Sequence, residues 1–153
     1  MHITEAQLAQ LIAADPQAAE LYRQAQFADC AARCREIAPR VYQAAKLSRI
    51  GILNLYPTNP NVAVSILEAI EAAAANNRLF REVYSFMAPG TAPEQLPDFG
   101  LQPIRAALIA PQSVGGIGLT AEQAGPILAA GEQPDNITAL DVERLPRGTQ
   151  WQQ

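Results

Sequence analysis

Along the first 87 residues, apolar side chains recur at spacings of three and four, and most runs open on a residue that can satisfy a helix's first amides. Thr4 and Gln7 form a capping box, with Ile3 placed to staple onto Leu8, predicting a helix to Ala14. Asp15 then caps a second helix, with Pro16 at the first position, where the missing amide costs nothing; it runs to about Gln24. A third spans Ala28 to Ile37 and stops before Pro39, because proline pushes the preceding residue out of helical geometry. Residues Arg40 to Lys46 fit either an extended connector or a weak helix, and Ser48 caps a short helix through Leu55. After the YPTNPN break, Asn59 and Pro60 restart a helix to Ala75, with Val62, Ile66, Leu67, Ile70 and Ala73 at helical spacing opposite Asn61, Ser65 and Glu68. From Arg78 to Met87 only the stripe of Arg78, Arg81, Glu82 and Ser85 is polar.

The pattern loosens near residue 88. Sixteen of the 21 Pro and Gly residues lie in the last 66 positions, and Pro89, Gly90, Pro93, Pro97 and Gly100 mark a loop. A helix is expected from Pro103 to Ile109, followed by QSVGGIG as a flexible connector. Thr120 with Gln123 forms a second capping box; the helix it opens should be kinked at Gly125 and Pro126 and end at Gly131. Thr138 with Asp141 resembles a third box, with Ile137 placed to staple onto Val142, and the tail from Pro146 to Gln153 reads as extended and exposed. The expected fold is all-α: a small bundle of short helices with a helical core over 1–88 and a looser, Pro/Gly-rich helical part over 89–153, in one domain.

Composition agrees with a folded chain, with 49% apolar against 17% charged residues. Much of the apolar share is alanine, so the core must rely on close helix approach. A net charge of −4 argues against a nucleic-acid binder that neutralises many phosphates. The charge is uneven: Arg33, Arg35, Arg40, Lys46 and Arg49 face only Glu36 between positions 33 and 49, a local +4 that leaves −8 elsewhere. That stretch, with Arg40, Lys46 and Arg49 as candidate contacts, either docks an acidic partner surface or is a solvated face. No run reaches the roughly 18 apolar residues of a membrane span, and MHITEAQLAQ has neither a basic leader nor an apolar segment, so no signal peptide is expected.

Candidate chemistry is sparse. His2 is the only histidine and stands at an N-terminus expected to be mobile, which leaves no usual zinc set and no histidine general base. Cys30 and Cys34 share a helix face and read as buried small hydrophobes. Gly115 to Gly118 lack the Lys and Ser/Thr of a phosphate loop, and solvated helix charge accounts for the pairs Glu68/Glu71 and Asp141/Glu143. No catalytic, metal or cofactor site is assigned. The Phe80, Tyr84, Met87 stripe has the i, i+4, i+7 spacing of either a core helix or one seated in a partner groove, so Tyr84 and Met87 are candidate partner contacts. Trp151, among glutamines, is either an interface anchor or part of a disordered end.

The stretch LTAEQAGPILAAGEQPDNITALDVERLPR, Leu119 to Arg147, resembles the end of a family of small alanine-rich proteins encoded with the tail genes of phages and prophages. Thr120, Glu122, Gln123, Gly131, Thr138, Asp141 and Val142 carry the likeness; SILEAIEAAAANN and FADCAARCREIAPRV agree loosely. Cys34 to Ile37 and the Gly125–Pro126 interruption depart from the family's pattern. The resemblance implies a structural component of a tailed phage particle, a tail, baseplate or fibre-associated adaptor without enzymatic activity. Its partners would be other tail or baseplate subunits, with no nucleic acid, membrane, small-molecule substrate or cofactor, and it would be found in the virion and, during assembly, in the host cytoplasm. The rival reading is a tail-assembly chaperone or small helical regulator outside the particle.

Overall fold

The computed structural model describes residues 1–146, so Trp151 and the rest of the expected tail, Arg147 to Gln153, lie outside the described residues. Among the described residues the protein is all-α: α1 (Glu5–Ala14), α2 (Pro16–Arg23), α3 (Phe27–Ile37), α4 (Arg49–Asn54), α5 (Pro60–Ala74), α6 (Arg78–Ser85), α7 (Gln102–Ile109), α8 (Ala121–Ala130) and α9 (Ala139–Glu143). The only sheet among them joins two two-residue strands, β1 (Val41–Tyr42) and β2 (Glu132–Gln133). No described helix is long and apolar enough to cross a membrane.

All three capping boxes form, at Thr4, Thr120 and Thr138, each with the side-chain oxygen accepting from the amide three residues on and the reciprocal bond returned. Asp15 and Ser48 cap α2 and α4 as expected, and Asn77 caps α6 by accepting from the Leu79 and Phe80 amides at 2.9 and 3.3 Å. The ambiguous stretch 40–46 is extended, containing β1 and a bridge from Lys46 to Asp98. Helix α8 continues through Gly125 and Pro126 to Ala130.

The described residues divide into two compact units: residues 1–41 with the segment that begins at Pro134, and residues 42–133. The division therefore does not follow the compositional break; Ala88 lies inside the second unit. Proline and glycine density reports where turns are, whereas unit boundaries depend on which helices pack together.

In the first unit, α1, α2, α3 and α9 enclose Leu8, Ile12, Tyr22, Cys30, Cys34, Ile137, Val142 and Leu145. Arg33 grips Asp15 with two nitrogens, Nε to Oδ1 at 3.2 Å and Nη2 to Oδ2 at 2.8 Å. That guanidinium, followed by the Ala18 amide, holds the Asp15 carboxyl below its usual range. His2 is not loose: its amide donates to both oxygens of fully buried Asp135, at 2.8 and 3.1 Å, and the Ile3 amide adds a third bond at 3.1 Å. The sequence gives no local signal for this pin, because its partners are more than 130 positions apart.

In the second unit, α4 to α8 surround Ile52, Ile66, Ile70, Phe80, Phe99, Leu108 and Ile127. Buried Arg105 on α7 donates to the Leu128 carbonyl near the end of α8 at 2.8 Å, pairs with Glu132 and lies 4.7 Å over the Tyr42 ring. Gly131 ends α8 with φ −89°, so no left-handed conformation demands it. Space does: a Cβ there would stand 2.7 Å from Arg105 Nη1 and 3.0 Å from Gly100 Cα.

A candidate docking face on the second unit

Three elements of the second unit meet around a small cavity of about 170 Å³ lined by Arg49, Val64, Leu67, Glu68, Ile70, Glu71, Tyr84 and Met87. Local rules place each contributor. The Ser48 hydroxyl accepts from the Gly51 amide at 3.0 Å and starts α4, which presents Arg49. On α5, Val64, Leu67, Glu68 and Glu71 fall on one face at spacings of three and four. The Asn77 cap starts α6, whose Phe80 and Val83 enter the core while Tyr84 stays half-buried at the rim.

The Tyr84 hydroxyl donates to Glu71 Oε1 at 3.1 Å, tying α6 to α5. The Arg49 guanidinium lies 4.9 Å from the Tyr84 ring centroid, a cation–π geometry. Arg49 makes no ion pair among the described residues, and the exposed Glu68 carboxylate makes neither a hydrogen bond nor an ion pair there. At this rim Val64 is 43% exposed.

Arg49, Tyr84 and Met87, three of the residues expected to meet a partner, are thus brought together. Met87 is only 3% exposed, so it forms the cavity's floor and packs in the core. Lys46 is exposed and donates to the Glu94 carbonyl at 2.8 Å; it does not line the cavity. Arg40 is exposed in the first unit. Two members of the +4 stretch are engaged within the first unit: Arg33 by Asp15 and Glu36, and Arg35 by the Ile137 carbonyl, to which it donates. What sequence inspection missed is the bond from Tyr84 to Glu71 and the gathering of Glu68 and Glu71 with Tyr84 around one cavity. Taken along α5 alone they are solvated charge, and only the packing of α6 on α5 brings an aromatic ring beside them.

A larger cleft of about 440 Å³ lies elsewhere in the same unit, between the end of α5 (Ala72, Ala73, Asn76) and the glycine loop. That loop is held rather than free: the Asn77 carboxamide donates to the Gly115 carbonyl at 2.6 Å, and a Cβ on Gly116 would sit 1.9 Å from the Ala110 carbonyl oxygen. The cleft's lining carries no charged side chain. Cys30 and Cys34 are free and buried, with the Cys30 thiol donating to the Ala18 carbonyl at 3.4 Å. The contact with Cys30, reinforced by burial, pushes the Cys34 thiol above its usual range, while the same contact lowers Cys30. No group of three or more His, Cys, Asp and Glu side chains among the described residues is arranged to hold a metal ion. Comparison with protein-family models, with curated proteins and with solved structures finds no match for the chain.

Proposed function

We propose that the protein is a structural component of a tailed phage particle, an adaptor of the tail, baseplate or fibre that works by packing its helices against other subunits. The observation that carries the packing mechanism is the face of α4, α5 and α6, where Val64, 43% exposed, stands beside the Arg49, Tyr84 and Glu71 rim. Fully burying an exposed aliphatic side chain contributes about 1.5–3 kcal/mol, so covering this face favours a partner without by itself setting the affinity. Assignment to a phage tail rests on the resemblance of Leu119 to Arg147, and the two parts of the reading stand on separate grounds.

Mass spectrometry of purified particles from lysed cultures of the encoding host tests the location: the chain is expected at stoichiometric levels in intact particles. Its absence from them, with recovery only in fractions containing assembly intermediates, would overturn the virion reading in favour of an assembly role. For the packing mechanism, Val64→Lys should leave the helical content unchanged and reduce incorporation into particles several-fold. Undiminished incorporation would remove this face from the interface.

A further inference from the structure

We infer that the cavity between α4, α5 and α6 receives one cationic side chain, a lysine or arginine, from a peptide segment of a partner protein, and that Arg49 is its built-in competitor. The inference rests on the reading of this face as a docking surface and adds the chemistry of what docks.

Size narrows the occupant first. At about 170 Å³ the cavity lies below the ~300–1,000 Å³ of small-molecule sites, yet it has room for a single long side chain. Its walls suit a methylene stem, being made of Val64, Leu67, Ile70 and Met87, while its rim carries the carboxylates of Glu68 and Glu71 one helical turn apart. Lysine and arginine have that division, an apolar stem ending in a charged head. Two carboxylates against one guanidinium leave the lining with excess negative charge, complementary to an incoming cation.

Arg49 is the cation an incoming one would meet. Its guanidinium has no ion-pair partner among the described residues and is seated 4.9 Å over the Tyr84 ring, so the ring already holds a cation. A partner's cation entering beside it meets like charge and a ring face in use. Arg49 therefore opposes the partner, and removing its charge should tighten binding. An anionic segment pairing with Arg49 predicts the reverse.

The test uses the full chain and two fluorescein-labelled probes, octalysine and octaglutamate, followed by fluorescence anisotropy at low salt. Octalysine is expected to bind saturably, with backbone amide NMR shifts concentrated at residues 64–71 and 84–87. The double variant Glu68→Gln/Glu71→Gln should weaken it about fivefold, the sum of two modest surface ion pairs. The double variant Glu122→Gln/Glu143→Gln, with the same change in net charge at exposed positions outside the cavity, should leave it unchanged, and Arg49→Ala should tighten it. Equal weakening by both double variants, shifts elsewhere, octaglutamate binding that Arg49→Ala abolishes, or no octalysine binding would each overturn the inference. Circular dichroism separates loss of folding from loss of binding, and the NMR map of the unaltered chain stands without any variant. Presence in particles without octalysine binding sinks this inference alone; binding at the cavity with absence from particles sinks the virion reading alone.

Discussion

Asp135 shows how much one side chain can do when it is buried and fully engaged. Burial by itself would raise its carboxyl, but the His2 and Ile3 amides, helped by the His2 ring 3.2 Å away, together hold it below the usual carboxylate range. A carboxyl lowered by folding contributes stability that is complete above its unfolded value, ~3.9, and is lost as pH falls through the still lower folded value. Urea unfolding midpoints should therefore drop on acidification below about pH 4, and Asp135→Asn should flatten that part of the profile. The substitution should also cost about 1–3 kcal/mol at neutral pH, since an amide can no longer accept from every donor with a full charge. An Asn variant as stable as the parent at pH 7, with an unaltered acid limb, would show that the pin contributes nothing.

Helix ends are where the sequence is most legible and, in one case, imperfect. Three capping boxes, the Asp15 and Ser48 caps and the proline starts of α2 and α5 all lie within four residues of what they control, so inspection finds them. Illegible features depend on contacts between distant positions. The Asp135 pin, the close approach at Gly131 and the ring beside Glu71 each need packing before they exist. The end of α2 is hidden for a different, local reason, the lack of a glycine: the Gln26 amide reaches back to the Leu21 carbonyl at 2.9 Å and the Ala25 amide to Tyr22 at 3.0 Å, the paired bonds of a Schellman motif. Its left-handed residue is Ala25, with φ 57°, where glycine is the ordinary choice. Ala25→Gly should thus stabilise the protein by about 0.5–1 kcal/mol, relief of the Cβ crowding outweighing the extra freedom of the unfolded chain. A lowered melting temperature in that variant would mean that the strain is already relieved.

Across the whole molecule, the two units differ in how they are assembled from the chain. The second is a continuous run from Tyr42 to Gln133 with its own core, so that segment expressed alone should be helical and unfold cooperatively in urea. A non-cooperative, weakly helical fragment would refute its independence. The first unit has no such continuity: Ile137, Val142 and Leu145 complete a core begun by Leu8 and Ile12. Fold class could be read from the sequence because helix periodicity is local; this interleaving could not, because nothing near residue 41 or residue 134 records which distant helix will pack there.

That discontinuity sets a timetable during translation. When residue 41 leaves the ribosome's active site, Leu8, Ile12, Cys30 and Cys34 still lack the α9 residues that cover them, and 92 further residues (133 − 41) must be added before Pro134. At ~5–20 residues per second that interval is about 5–18 s, long compared with helix formation. The N-terminal helices therefore wait through that interval as an unfinished surface open to chaperones, and the first core closes only after the whole second unit has been synthesised.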